Sequence, residues 1–162
     1  MIVSTATAPC VIKVKMAGVD YGRAPEVLET LLGSCVGVAV WDCKTKQGGL
    51  AHVVLPDSRG DSALPGKFAD TAVAELRRQL LVRGVSPSSM VAKIAGGATM
   101  FGQRSERDVG EKNHRAVLEQ LRKHGIRLAG EHIGGSKGRM IRFLLESGQL
   151  EVAVARKVVT LL

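Results

Sequence analysis

Short runs with a two-residue hydrophobic period, lying side by side along the chain, limit its possible folds more than any other feature. Val11 to Ala17 (VIKVKMA) alternates apolar and basic residues, as a half-buried strand does. Val27 to Leu32, Gly37 to Trp41 (GVAVW) and Leu50 to Leu55 (LAHVVL) read as further strands, and the polar stretch Asp42 to Gly49 makes the last two a hairpin. Gly18 to Pro25 reads as a loop, and Ser58 to Gly66, rich in Gly, Ser, Asp and Pro, as a mobile one. Only two segments carry the helical period. Lys67 to Arg83 sets Phe68, Ala72, Val73, Leu76 and Leu80 on one face, with Gly84 suited to a left-handed stop, and Asn113 to His124 ends likewise at Gly125. Val91 to Ala95, Ile126 to Ile133, Met140 to Leu145 and Leu150 to Val154 bring the count to about eight strands against two main helices. Strands grouped in this way predict an α+β layered fold rather than a doubly wound parallel sheet.

No internal repeat or linker interrupts the 162 residues, so a single domain spanning residues 1–162 is expected. Aromatic residues make up only 3% of the chain, and small aliphatic side chains must fill the core. The formal charge of +8 favours acidic partners. The basic residues are dispersed, at Arg77-Arg78, Lys112 to Arg115, Arg122-Lys123 and Lys137 to Arg142, without interleaved aromatic platforms, which argues against nucleic-acid binding. The first residues lack a basic leader with an apolar stretch behind it, and no apolar run is long enough to span a bilayer. A cytoplasmic protein without membrane insertion is expected.

Cysteine placement raises the functional question. Cys10, Cys35 and Cys43 are odd in number, so at least one thiol is free. In LLGSCVGVAVWD, Leu31 to Asp42, the pair Gly33-Ser34 turns the chain after a strand and presents Cys35 beside backbone N–H groups able to hold an oxyanion. A thiol of ordinary pKa near 8.5 needs a base or cation to react at neutral pH. His52, in the apolar run Leu50 to Leu55, lies 17 residues after Cys35 across one hairpin, and the two side chains can meet at one end of a sheet. Residue types alone admit a second reading, in which Cys35 is a small core residue and His52 a hydrogen-bonded core histidine. A zinc site from Cys35, Cys43 and His52 lacks ligand-pair spacing. His114 and His124 are expected to face water on a basic helix, His132 ends a strand without a chemical partner, and Cys10 and Cys43 flank strands as inert thiols.

Taken in order, LLGSCVGVAVWD, GGLAHVVLPDS from Gly48, KFADTAV from Lys67, KIAGGATMF from Lys93, VGEKNHRAV from Val109 and IGGSKGRMIRF from Ile133 resemble the CheD family of chemoreceptor glutamine deamidases. The resemblance implies an α/β/β sandwich that hydrolyses glutamine side-chain amides in methyl-accepting chemotaxis receptors, releasing ammonia, with no metal or organic cofactor. It places the catalytic cysteine on Cys35 and the histidine on His52. It also implies docking to receptor cytoplasmic helices and to a CheC-type phosphatase, and a monomer is expected. A non-catalytic module docking on the same partners is the alternative.

The third catalytic residue of the family is commonly a threonine six positions before the cysteine, where this chain has Glu29, with Thr30 one residue later. On a regular strand that shift reverses the face, so Thr30 is expected to reach His52 only through a bulge or a changed strand end. Glu29 is the other candidate. Gly96 to Phe101 (GGATMF) is expected either to anchor a partner helix through Met100 and Phe101 or to bury both in the core. Gly134 to Arg139 has the wrong spacing for a phosphate loop, and a basic turn lining the substrate groove is expected instead. Catalysis further requires Cys35 and His52 to touch at a pocket mouth open to solvent.

Overall fold

The computed structural model describes residues 7–102 and 108–162. In chain order the elements are β1 (Val11–Lys13), β2 (Val19–Arg23), β3 (Val27–Leu32), β4 (Val36–Asp42), β5 (Gln47–Val53), α1 (Ala69–Val82), β6 (Met90–Gly96), α2 (Val109–Lys123), β7 (Arg127–Ile133), β8 (Arg139–Leu144), β9 (Gln149–Val154) and β10 (Lys157–Leu161). They form two five-stranded sheets, ordered β1-β3-β8-β9-β10 and β2-β5-β4-β6-β7. Both are mixed, because β1 runs parallel to β3 and β6 parallel to β7 while the other pairs are antiparallel.

Alternation along the central strands assembles three layers. On β4, Val36, Val38 and Val40 face one way, and with Ala51 and Val53 of β5 they pack under Ala72, Val73, Leu76 and Leu80 of α1 and Val117 and Leu121 of α2. Cys35 and Ala39 face the other way, into a second core with Leu50, Leu28, Leu32, Ile141, Phe143 and Val152. Helices therefore cover one sheet, and the second sheet covers its other face, as an α/β/β sandwich requires. The sheets meet closely at Gly37, where a Cβ would lie 2.5 Å from Cδ1 of Ile141. The expected α+β architecture is present.

The described residues form ten strands, against about eight read from the sequence. β2 occupies part of the segment read as a loop, and β10 follows the last strand expected. Both are nearly uniformly half or fully exposed along their length, and so lack the alternation that burial on one face produces. Helix α2 starts at Val109, four residues before the expected start, because the Asp108 carboxylate accepts the backbone N–H groups of Gly110 (2.9 Å) and Glu111 (3.3 Å). Gly84 and Gly125 end the two helices with φ of +85° and +66°. Within the segment read as mobile, Ser58 is buried and its hydroxyl donates to Asp70 at 2.6 Å, which ties the loop to α1. No helix among the described residues is long and apolar enough to cross a membrane.

Candidate active site

Three elements bring Thr30, Cys35 and His52 to the space between the sheets. The pairing of β4 with β5 sets Gly37 opposite His52 and Val36 opposite Val53, so Cys35, one residue before β4, falls opposite Val54. Cys35 and His52 are thus diagonal neighbours on one face, a relation with Cα positions roughly 7–8 Å apart. Strand β3 supplies Thr30 from the facing sheet, and its hydroxyl lies 2.8 Å from Nδ1 of His52.

Thr30 reaches His52 without a bulge. Leu28, Thr30 and Leu32 are buried on the inner face of β3, and its register with β1 and β8 is continuous. The expected obstacle assumed that alternation carries through to the cysteine, whereas residues 33–35 form a bend that resets it. Glu29 lies on the other face of β3, 3.6 Å from Arg142. Only Thr30 of the two candidates meets the imidazole.

The hydrogen bonds determine which nitrogen of His52 carries the proton. A hydroxyl has one hydrogen, and Thr30 gives it to the carbonyl of Val14 at 2.9 Å. Toward His52 the oxygen can therefore only accept, so Nδ1 is protonated and Nε2 is left with its lone pair. Among the described residues Nε2 is buried without a hydrogen-bond partner, and no thiol–imidazole hydrogen bond is formed. A buried bare acceptor costs stability, and this one is left with a lone pair able to take a proton.

Both reactive groups are more enclosed than a solvent-facing pocket mouth would leave them, with 8% of Cys35 and 3% of His52 exposed. Burial pushes the Cys35 thiol up from its usual value, a shift partly offset by its own backbone N–H. Burial also pushes the His52 imidazole down. At neutral pH the pair rests as thiol and neutral imidazole, not as an ion pair.

Glycines and one buried amide hold the cysteine turn. The Gly97 N–H donates to the Cys35 carbonyl at 2.8 Å, and a Cβ on Gly96, at φ +116°, would overlap that carbonyl oxygen. Asn113 of α2 is fully buried, and its Nδ2 donates to the carbonyls of Ser34 (3.2 Å) and Val54 (2.9 Å). The sequence reading did not single out Asn113. Its helical spacing with Gly110, Val117 and Leu121 marks a polar residue on a buried face, and that signal was there to be read.

Beside this turn a cleft of about 580 Å³ is lined by residues including Gly97, Asp108, Glu111, His114, Gly134 and Ser136. The Gly134 turn does line it, but Arg139 does not make it basic. Arg139 is buried, and its guanidinium donates to the carbonyls of His132 (2.8 Å) and Gly134 and to Nδ1 of His132 (2.8 Å). His132 therefore has a chemical partner after all. His114 faces the cleft, with its Nε2 2.9 Å from the exposed Glu131. Met100 and Phe101 are not core residues, being 43% and 98% exposed. All three cysteines are free, and Cys10 and Cys43 are exposed. Strand β4 separates Cys43 from Cys35 by about 25 Å, at ~3.3 Å per residue, so these two cannot share a zinc ion with His52.

A thiol beside an imidazole with one free nitrogen, the other nitrogen held by a hydroxyl, is the set of groups that thiol hydrolases use for acyl transfer. Comparison with known proteins narrows the class. The chain belongs to the CheD family: the family model described as "CheD chemotactic sensory transduction" matches residues 54–154. It is 45% identical over 150 residues to the probable chemoreceptor glutamine deamidase CheD of Methanococcus vannielii, covering 91% of this chain and 97% of that one. The corresponding probable deamidase of Methanococcus maripaludis strain C5 is 44% identical, covering 88% and 94%. The chemoreceptor glutamine deamidase CheD of Thermotoga maritima is 44% identical over 131 residues, covering 80% and 83%.

Proposed function

We propose that this chain is a chemoreceptor glutamine deamidase in which Cys35 is the nucleophile, His52 the general base and acid, and Thr30 the residue that fixes the His52 tautomer. The reaction begins when Nε2 of His52 takes the Cys35 proton and the sulfur attacks the side-chain carbonyl carbon of a substrate glutamine. Backbone N–H groups at the 33–35 turn hold the oxyanion. His52 returns the proton to the departing nitrogen, ammonia leaves, and a thioester remains. The same nitrogen then deprotonates a water whose oxygen attacks the thioester carbon; the sulfur leaves as thiolate, takes the proton back from His52, and glutamate is released. Each atom of the amide nitrogen, the water and the thiol is accounted for, with no electron transfer and no step that calls for a metal or cofactor.

The observation that carries this reading is the directed chain from His52 Nδ1–H to Thr30 to the Val14 carbonyl, which leaves Nε2 free to accept. Family membership and the shared name of the relatives support receptor glutamines as substrate. The net charge of +8 favours encounter with acidic receptor helices, although the cleft itself carries Asp108 and Glu111. We read residues 1–162 as one cytoplasmic, monomeric domain with a CheC-type phosphatase as second partner.

The test is intact-mass analysis of a receptor cytoplasmic fragment incubated with the protein and with its Cys35→Ala variant. Conversion of amide to acid by the parent alone supports the enzyme. A Cys35→Ala protein that still converts the receptor removes the thiol mechanism. One that restores normal signalling without conversion makes the chain a non-catalytic docking module.

A further inference from the structure

One amide side chain joins the two segments that carry the thiol and the imidazole. Asn113 sits on the buried face of α2, and the hydrogens of its Nδ2 go to the Ser34 carbonyl, one residue before Cys35, and to the Val54 carbonyl, two residues after His52. Both partners are carbonyl oxygens, which can only accept, so the orientation of the amide is settled. Its Oδ1 is buried without a hydrogen-bond partner among the described residues. An apolar side chain would remove that orphaned acceptor but leave the Ser34 and Val54 carbonyls without this donor, so the value of the amide lies in the two segments it joins.

The two bonds act where β-sheet pairing does not. The ladder between β4 and β5 ends at Val36 and Val53, so Cys35 and Val54 lie just beyond it. On the far side, Gly97 N–H holds the Cys35 carbonyl and ties the turn to the end of β6. Without Asn113, the position of the sulfur relative to Nε2 would depend on a three-residue bend anchored from one side.

We propose that Asn113 is a positioning residue for the deamidation, setting the separation of Cys35 and His52 by bridging Ser34 and Val54. It touches neither the substrate nor the reacting atoms. The proposal rests on the Cys35–His52 reading, and its test keeps the two apart.

In a background with Cys10 and Cys43 replaced by serine, leaving Cys35 as sole thiol, Asn113→Leu keeps the branched outline with bulkier methyl groups and removes both bonds, and Asn113→Ala removes the amide without adding bulk. Leu121→Ala, a buried truncation on the same helix facing the helical core, serves as the destabilised control. The expected result for Asn113→Leu is a kcat lower by about 10²-fold, the scale of a misplacement near 1 Å, with KM within about twofold. The pH profile of Cys35 alkylation by iodoacetamide moves toward that of His52→Ala, a readout that a purely structural role would not shift. Leu121→Ala is expected to lower Tm while keeping kcat and the alkylation profile.

The proposal is overturned if both Asn113 variants keep the parental kcat and alkylation profile. It is equally overturned if Leu121→Ala loses as much kcat below its melting transition, or if neither Asn113 variant folds by circular dichroism, which would assign the bonds to stability. Should Cys35→Ala retain deamidation, the functional reading fails, and the alkylation profiles alone decide whether Asn113 positions the thiol.

Discussion

Replacing Thr30 by valine probes the hydroxyl that determines the His52 tautomer. Valine has nearly the shape of threonine, so the substitution removes an oxygen and its hydrogen while keeping the packing of β3. Two buried groups then lose their partner: the Val14 carbonyl loses a donor and Nδ1–H of His52 loses its acceptor. At about 1–3 kcal/mol for each, less about 1–2 kcal/mol for no longer burying a hydroxyl, the loss of stability is about 1–4 kcal/mol. Catalysis suffers more. Once the bond at Nδ1 is gone, about 1.4 kcal/mol of tautomer preference disappears, which by itself is roughly tenfold. The proton can then sit on Nε2, where it blocks abstraction from the thiol, and the ring loses its anchor. Together these effects predict a kcat lower by about 10²-fold, within the range of a lost general base. Ammonia release from a receptor fragment gives the rate, urea titration the stability, and nitrogen-15 spectra of His52 the tautomer. Unchanged kcat in a protein whose His52 still carries its proton on Nδ1 would refute the assignment of Thr30.

Activity should depend on pH in the directions set by burial. His52 is depressed from its ordinary 6.5, so kcat/KM is expected to be retained through pH 6.5 and lost on further acidification, as Nε2 takes a proton. The same depression contributes stability that is fully present above pH 6.5 and declines as pH falls through the folded-state value. The Cys35 thiol is raised from 9.0, so its share of stability is present below pH 9.0 and is lost as pH rises through its folded-state value. An acid limb starting above pH 7 would contradict the His52 assignment. Gly96→Ala should cost more than about 2 kcal/mol, since it combines a positive φ with overlap on the Cys35 carbonyl, and a parental urea midpoint would count against that contact. Phe101→Glu should leave Tm unchanged, because the ring is 98% exposed, and weaken binding to receptor or phosphatase. Normal binding to both partners would remove Phe101 from any docking surface.

Arg139 to Leu144 was legible because burial on one face imposes a period, and Val36 to Asp42, buried on both faces, was legible as a short apolar run between turns. β2 and β10 were not, because their exposure is nearly uniform along the strand, whereas the edge strands β1 and β7 keep an alternation. Asp108, followed three residues later by Glu111, is a helix-start signal that places α2 at Val109, and the apolar period alone missed it. Arg139 shows the opposite limit. Its charge suggested a basic groove, and only the fold reveals that carbonyls of its own turn consume it.

The amino-acid order alone determined the strand and helix inventory of the interior, the free thiol and the hairpin that brings Cys35 and His52 near each other. These follow from local periodicity and short chain separations. Tertiary structure decided that Thr30 rather than Glu29 meets the imidazole, which nitrogen of His52 stays bare, and that Asn113 bridges the two reactive segments. Each depends on two sheets and a helix closing on one point, where residues far apart in the chain compete for a single hydroxyl hydrogen or two backbone carbonyls.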